Sequence, residues 1–193
     1  MKFLKKIAVL FLVLTMLLPA FSSCALLSSP SDEEIRGAME ELLPLAYEAT
    51  YIVYGPGIEI EENFVIDPDW TVSHYAKVHP KYKYQTISAV KELILKAHTE
   101  GYAEELYEYA FEGSEDLLSR YNETDGKISM DVTKDALDMA DEIYYETARV
   151  LKGTAYACEV EVEYTMDEGK TREVMVIQMA KENGRWLFDG PTY

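Results

Sequence analysis

The spacing of apolar residues predicts a long amphipathic helix at the start of the folded part of the chain. Ser31 can cap this helix, and Glu34, three residues further on, can reach back to the cap. The sequence Gly55-Pro56-Gly57 ends it, because glycine and proline both disfavour a helix interior. The apolar stripe recurs every three or four positions; its residues are Ile35, Met39, Leu42 and Ala46.

Two shorter helical patterns follow and predict a helical hairpin. The first begins at Thr86 and the second after Thr99. Between the long helix and this pair, residues 58–84 have an extended pattern that predicts two short strands or an irregular arm. Asp125-Gly126, after the pair, is a hairpin signal. The apolar positions of the pair are Ile87, Val90, Leu93, Ile94 and Ala97, then Tyr102, Leu106, Tyr109 and Ala110.

The last third of the chain is rich in β-forming residues. Asn183-Gly184 is a signal for a two-residue hairpin turn. If the preceding loop pairs Thr165 with Lys170, Glu163 lies opposite Arg172, and this ion pair favours that register. Residues 133–141 fit either a short acidic helix or a loop. The four β-rich runs are residues 143–152, 154–165, 171–181 and 185–189.

Helices followed by strands favour an α+β fold. We expect the N-terminal helix and the helical pair to pack on a curved C-terminal antiparallel sheet, forming a cone-like roll. Residues 31–193 have the size of a single domain with its own core.

The N-terminal residues have the pattern of a bacterial lipoprotein leader. Three lysines precede the apolar run 7–18, which is shorter than the about 20 residues that a membrane-spanning helix needs. Small residues then precede Cys24, as in a lipobox. We predict a signal peptide over residues 1–23, a diacylglyceryl group on Cys24 and a tether over residues 24–30. The alternative is plain secretion, with Cys24 an incidental thiol.

The charge of the chain limits its partners. Its 18 basic and 35 acidic residues give −17, and removal of a leader with three basic and no acidic residues leaves 15 minus 35, or −20. Nucleic acid and anionic lipid headgroups would both be repelled, so the charge argues against either as a partner. We expect the chain to be held at the extracytoplasmic face of the membrane through Cys24, within reach of a cell-envelope protein or a wall fragment. Cys158 lies in an alternating run, which predicts a buried structural thiol.

Candidate catalytic and metal-binding residues lack a motif. An enclosed acid or base could serve catalysis; the candidates are His74, His98, Asp69 and Asp141. His98, near a helix end, is more simply a helix cap or a partner of the helix dipole. Acidic residues that could gather on one side of a short helix lack the glycine and glutamate of an EF-hand loop; they are Asp131, Asp135, Asp138 and Asp141. We predict no catalytic residue, metal or cofactor.

Aromatic residues are the best candidates for ligand binding. The chain contains 15 tyrosines, and tyrosine combines apolar area with a polar tip that suits glycan or peptide binding. Packing in the core or at its rim is the alternative role. We expect Tyr145, Tyr156 and Trp186 to line a concave face of the sheet.

The order of elements resembles a known superfamily. A long N-terminal helix, a helical pair and a meander ending in Asn183-Gly184-Arg185-Trp186 resemble the nuclear-transport-factor-2-like superfamily. This resemblance implies the cone-like roll, but the superfamily includes isomerases, scaffolds and surface lipoproteins, so it does not fix a function.

A shorter likeness involves residues 84–127. Tyr84-Gln85-Thr86-Ile87-Ser88, a helical pair and then Arg120-Tyr121 through Asp125-Gly126-Lys127 are similar to secreted inhibitors of cell-wall D,L-endopeptidases. The sequence thus predicts a non-catalytic ligand- or protein-binding lipoprotein. A wall-peptidase inhibitor and a small-molecule enzyme on the same roll are the alternatives.

Overall fold

The computed structural model describes residues 28–62, 74–113 and 118–192. In these ranges, helices precede a four-stranded antiparallel sheet, and a smaller three-stranded sheet lies between them in sequence. The α+β fold is as predicted. The elements in chain order are α1 (Asp32–Val53), β1 (Tyr75–Lys77), α2 (Ile87–Ala97), α3 (Glu100–Tyr107), a π-helical turn (Glu108–Glu112), β2 (Tyr121–Thr124), β3 (Lys127–Asp131), β4 (Glu142–Gly153), β5 (Ala157–Thr165), β6 (Glu173–Glu182) and β7 (Arg185–Phe188).

Helix α1 begins at its predicted cap, where the Ser31 hydroxyl accepts a hydrogen bond from the Glu34 amide at 3.1 Å. The predicted return bond from the Glu34 carboxylate is wrong. That carboxylate instead accepts from the indole nitrogen of Trp186 at 2.7 Å and from the Lys181 ammonium at 3.1 Å. A charged acceptor stabilises a buried indole N–H more than it stabilises a backbone amide that water can reach.

The four-stranded sheet has the order β4-β5-β6-β7. Asn183 and Gly184 have φ of 52° and 80°, so the predicted hairpin turn is confirmed. The predicted register is wrong by two residues, since Glu163 lies opposite Val174 rather than Arg172. The loop is longer than expected because Asp167 accepts hydrogen bonds from Thr165 and Thr171 and closes it. The side chains of Glu163 and Arg172 nevertheless form an ion pair at 2.8 Å.

The three-stranded sheet has the order β1-β3-β2. Its hairpin turns at Asp125-Gly126, as predicted, with Thr124 opposite Lys127. The arm contributes β1 and an isolated bridge between Ile60 and Val78. Residues 132–141 contain no helix, which settles the ambiguity in favour of a loop.

Helix α1 joins two hydrophobic cores. Its N-terminal half packs on the four-stranded sheet in what we call the sheet core, with Ile35, Met39, Leu42, Ile177 and Phe188 among its members. Its C-terminal end packs on α2, α3 and the small sheet in the helix-pair core, with Ile52, Val53, Leu93, Leu106 and Tyr121 among its members. In the described ranges, no helix is both long enough and apolar enough to cross a membrane.

Candidate functional site

Two buried charged residues lie side by side next to the turn that ends α1. Arg120 precedes β2 and is 1% exposed, while Asp131 ends β3 and is 3% exposed. The hairpin brings them together, and the Asp131 amide donates a 2.8 Å hydrogen bond to the Arg120 carbonyl. Both residues line a cleft of about 560 Å³, which we call the Arg120 cleft.

The guanidinium of Arg120 is only partly satisfied. Its Nη2 donates to the carbonyl of Gly55. Its Nε and Nη1 are buried and have no hydrogen-bond partner. An ionised group that is taken out of water without compensating bonds is costly. The planar fork of a guanidinium matches a carboxylate or a phosphate, with which it forms paired, charge-assisted hydrogen bonds.

A second cation lies in the same cleft. The ammonium nitrogen of Lys134 is buried without a hydrogen-bond partner and lies 5.6 Å from the centre of the Tyr109 ring. Burial lowers the pKa of Lys134, the Asp131 carboxylate raises it, and the Arg120 guanidinium lowers it. Asp131 is itself engaged, because its Oδ1 accepts from the amide and the hydroxyl of Thr133 at 2.9 and 2.7 Å.

The glycine turn allows the backbone to approach Arg120 closely. Gly57 has a φ of +89°, and a Cβ at this position would lie 2.9 Å from the Tyr121 hydroxyl and 3.2 Å from Nη2 of Arg120, and closer still to Met130. The Tyr121 hydroxyl donates to the Ile52 carbonyl at 2.7 Å. Burial raises the pKa of Tyr121 to about 12. The end of α1 and the three-stranded sheet are therefore closely packed and joined by a hydrogen bond.

The remaining walls of the Arg120 cleft are mostly apolar or aromatic, with Glu59 as the exposed acidic member; they include Ile58, Ile60, Val132, Tyr51 and Tyr82. A second cleft, of about 760 Å³, adjoins the first at Tyr51 and Pro56 and is lined by Leu137, Met139 and Met166 among others. Both volumes lie in the range of small-molecule sites.

The three aromatic residues predicted to bind ligand lie outside the Arg120 cleft. Trp186 is buried, and its indole nitrogen is bound by Glu34. Tyr145 packs half-buried against the sheet core. Tyr156 is 58% exposed at the hairpin between β4 and β5. Cys24, the predicted lipidation site, lies outside the described residues.

His98 is the C-cap residue of α2, as predicted, and its amide donates to the Ile94 carbonyl at 3.0 Å. Its ring, however, is buried and is not a partner of the helix dipole. It lies 5.3 Å from the Tyr102 ring and 6.0 Å from the Phe188 ring, between centroids, and neither of its nitrogens has a hydrogen-bond partner. Burial lowers the pKa of His98 to about 4. The ring is therefore neutral near pH 7 and brings no charge to the helix end.

The other polar candidates are dispersed. The His74 carbonyl accepts from the Val132 amide, and the exposed Asp141 accepts from the Glu168 amide at 2.9 Å. Asp69 lies outside the described residues. In the part of the chain that the structure describes, no group of three or more His, Cys, Asp or Glu is placed to hold a metal. Cys158 is buried as predicted, and burial raises its pKa to about 11.

Comparison with known proteins adds no identity. No protein family model matches this chain, and no curated protein shows significant similarity to it. Both resemblances noted from the sequence therefore stay predictions. The functional residue that the sequence pattern does not single out is Arg120, which lies in the flank of a predicted hairpin. The only sequence feature that draws attention to Arg120 is the neighbouring hairpin signal, and this signal does not show whether the arginine is buried or exposed.

Proposed function

We propose that this chain is a non-catalytic binding module at the outer face of a bacterial membrane. The lipid on Cys24 holds it there, and the Arg120 cleft binds a small carboxylate with an apolar body. The observation that carries the proposal is the buried guanidinium of Arg120, two of whose nitrogens have no hydrogen-bond partner.

The chemistry of the cleft favours such a ligand. A carboxylate can accept from Nε and Nη1 of Arg120 and from the ammonium of Lys134, while Ile58 and Val132 contact the apolar body. Two acids, Asp131 and Glu59, also line the cleft and disfavour ligands with several negative charges. The free donor nitrogens are covered, so the walls formed by residues 56–60 and 130–134 must part to admit the ligand.

The lining of the cleft also favours binding over catalysis. No serine, cysteine or histidine is among its described lining residues. Asp131, which could act as a base, is held by Thr133. The cleft thus offers donors for recognition but no nucleophile paired with a base.

Ligand-induced stabilisation tests this proposal. Thermal unfolding of the purified lipidated protein is measured with acetate, butyrate, benzoate, phosphate and choline, at constant ionic strength with chloride as the reference. Butyrate and benzoate should raise Tm, because a ligand that binds only the folded state stabilises it, by about 2.7 kcal/mol at a concentration of 100 Kd. Choline should not.

Variants identify the site in the same experiment. Arg120→Met should abolish the Tm increase, and Lys134→Met should reduce it. Arg185→Met, which removes an exposed charge on β7, is the control and should respond as wild type does. The ligand proposal fails if no carboxylate raises Tm, or if Arg120→Met responds fully.

The anchor is tested separately, by growth with radiolabelled palmitate. The wild type should incorporate label, and Cys24→Ser should not. Equal labelling of the two proteins would show that the lipid is not on Cys24.

A further inference from the structure

The hairpin between β4 and β5 lies at the point where the tether enters the fold. The hydroxyl of Ser29, the second described residue, donates a 2.8 Å hydrogen bond to the Gly153 carbonyl. The contact continues along the start of α1, where Asp32 accepts from the Val150 amide at 2.8 Å and Arg36 donates to the Ala148 carbonyl at 2.9 Å. The tether and the hairpin are therefore at the same end of the molecule.

The length of the tether keeps this end close to the membrane. Ser29 follows Cys24 by five positions, and an extended chain covers at most about 3.6 Å per residue. If Cys24 carries the lipid, Ser29 lies within about 18 Å of the lipidated residue, and Gly153 is hydrogen-bonded to Ser29. This step rests on the anchor in the proposed function, and not on the ligand of the Arg120 cleft.

The hairpin tip has the side chains of an interfacial anchor. Leu151 is 52% exposed and Tyr156 is 58% exposed, with the exposed Lys152 beside them. Tyrosine is enriched where a membrane meets water, and lysine keeps its charge in the headgroup layer while its stem contacts apolar atoms. Thr154 shapes the turn, since its hydroxyl accepts from the amides of Tyr156 and Ala157 at 3.2 Å.

The local charge is compatible with a lipid surface despite the acidity of the whole chain. Residues 147–158 contain Arg149 and Lys152 and no acid. The adjacent Glu159 is paired with Lys152 at 2.9 Å. Of the acids in the first turn of α1, Asp32 and Glu34 are hydrogen-bonded within the fold, and Glu33 is exposed.

We propose that this hairpin tip, residues 151–157, rests in the lipid headgroup layer with Tyr156 and Leu151 inserted. Helix α1 starts at this end and ends at Val53, close to the Gly55-Pro56-Gly57 turn of the Arg120 cleft. Its 22 residues span about 33 Å at 1.5 Å per residue. The helix thus separates the Arg120 cleft from the membrane-contacting end of the protein.

Spin labels at the two ends of α1 test this orientation. Tyr156→Cys and Tyr51→Cys replace exposed tyrosines at the hairpin tip and in the wall of the Arg120 cleft. The buried Cys158, whose pKa is raised, should label poorly under the same conditions. Each full-length lipidated variant is labelled with a nitroxide and reconstituted into vesicles of phosphatidylcholine and phosphatidylglycerol. Collision with oxygen and with a water-soluble nickel chelate is then measured.

The label at position 156 should collide several-fold less with the nickel chelate in vesicles than in the unlipidated Cys24→Ser background, and more with oxygen. The label at position 51 should be unchanged. Vesicle flotation reports the anchor independently of the labels. Protein that floats while its label at position 156 stays open to the nickel chelate overturns the orientation but not the proposed function. Protein that does not float overturns the anchor and the orientation together.

Discussion

The sheet core and the helix-pair core share α1 but differ in what they bury. The sheet core packs apolar side chains and one thiol around Ile177 and Phe188. The helix-pair core lies beside Arg120 and Asp131, both buried, and the guanidinium keeps two unpartnered nitrogens. Burial of an unpaired charge lowers stability. Under the proposed function, the first core supplies stability, and the charged groups beside the second core serve recognition at a cost in stability.

His98 lies where the two cores meet. Its ring contacts Tyr102 of the helix-pair core and Phe188 of the sheet core. The Thr99 amide that follows it donates to the Phe188 carbonyl at 2.9 Å. The two cores are thus joined at His98 by a backbone hydrogen bond as well as by side-chain packing.

Gly57→Ala should give the largest loss of stability, because it affects the close approach beside Arg120. The new methyl group would meet Met130 and Tyr121 while the backbone keeps a positive φ. Strain and overpacking together should lower the free energy of unfolding by about 3 kcal/mol. Urea denaturation gives the value. Gly126→Ala is the control, since its φ is +71° but nothing lies within 4 Å, and it should cost only about 1 kcal/mol. Equal losses would show that the turn is not tightly packed.

His98 should make the junction sensitive to acid. Its folded pKa of about 4 lies below the unfolded value of about 6.5, so the unfolded chain binds the proton first as the pH falls. Wild type should therefore lose about 3 kcal/mol relative to His98→Phe between pH 7 and pH 4. Urea denaturation of both proteins across this range measures the effect. Parallel stability curves would contradict the buried, neutral ring.

Glu34→Ala should give the smallest effect, at the rim of the sheet core. It leaves the buried indole N–H of Trp186 without its acceptor and should cost about 1 kcal/mol, measured as a loss in unfolding free energy at pH 7. Glu33→Ala removes an exposed neighbouring acid and is the control. The hydrogen bond to Trp186 lowers the pKa of Glu34, so this contribution should fade as the pH drops through the acidic range. Equal losses of unfolding free energy for Glu34→Ala and Glu33→Ala would show that the hydrogen bond from Trp186 to Glu34 does not stabilise the fold.

Several elements of the fold were predictable because they have a local sequence signal. Ser31 caps α1, and both Asn183-Gly184 and Asp125-Gly126 turn where expected. The predictions that were wrong concern contacts that the local sequence pattern does not report. The Glu34 carboxylate accepts a hydrogen bond from Trp186, which is 152 positions away in sequence. The β5–β6 register depends on Asp167, which closes a longer loop than the ion pair suggested.

The candidate site was not predictable for the same reason. The Arg120 guanidinium lies against a turn that is 65 positions away in sequence, where it donates to the Gly55 carbonyl and approaches Gly57 closely. Apolar periodicity reports which face of an element is buried, but not which cation that burial leaves without a partner. Aromatic content favoured Tyr145, Tyr156 and Trp186, which do not line the Arg120 cleft.

The stability of Arg120→Met without ligand tests the division between the cores most directly. Methionine keeps most of the apolar volume and removes the buried charge, at the loss of one hydrogen bond to Gly55. If the charge serves recognition, the free energy of unfolding should stay within about 1 kcal/mol of wild type or increase. A loss of about 3 kcal/mol or more would show that Arg120 holds the fold together, and would contradict the account.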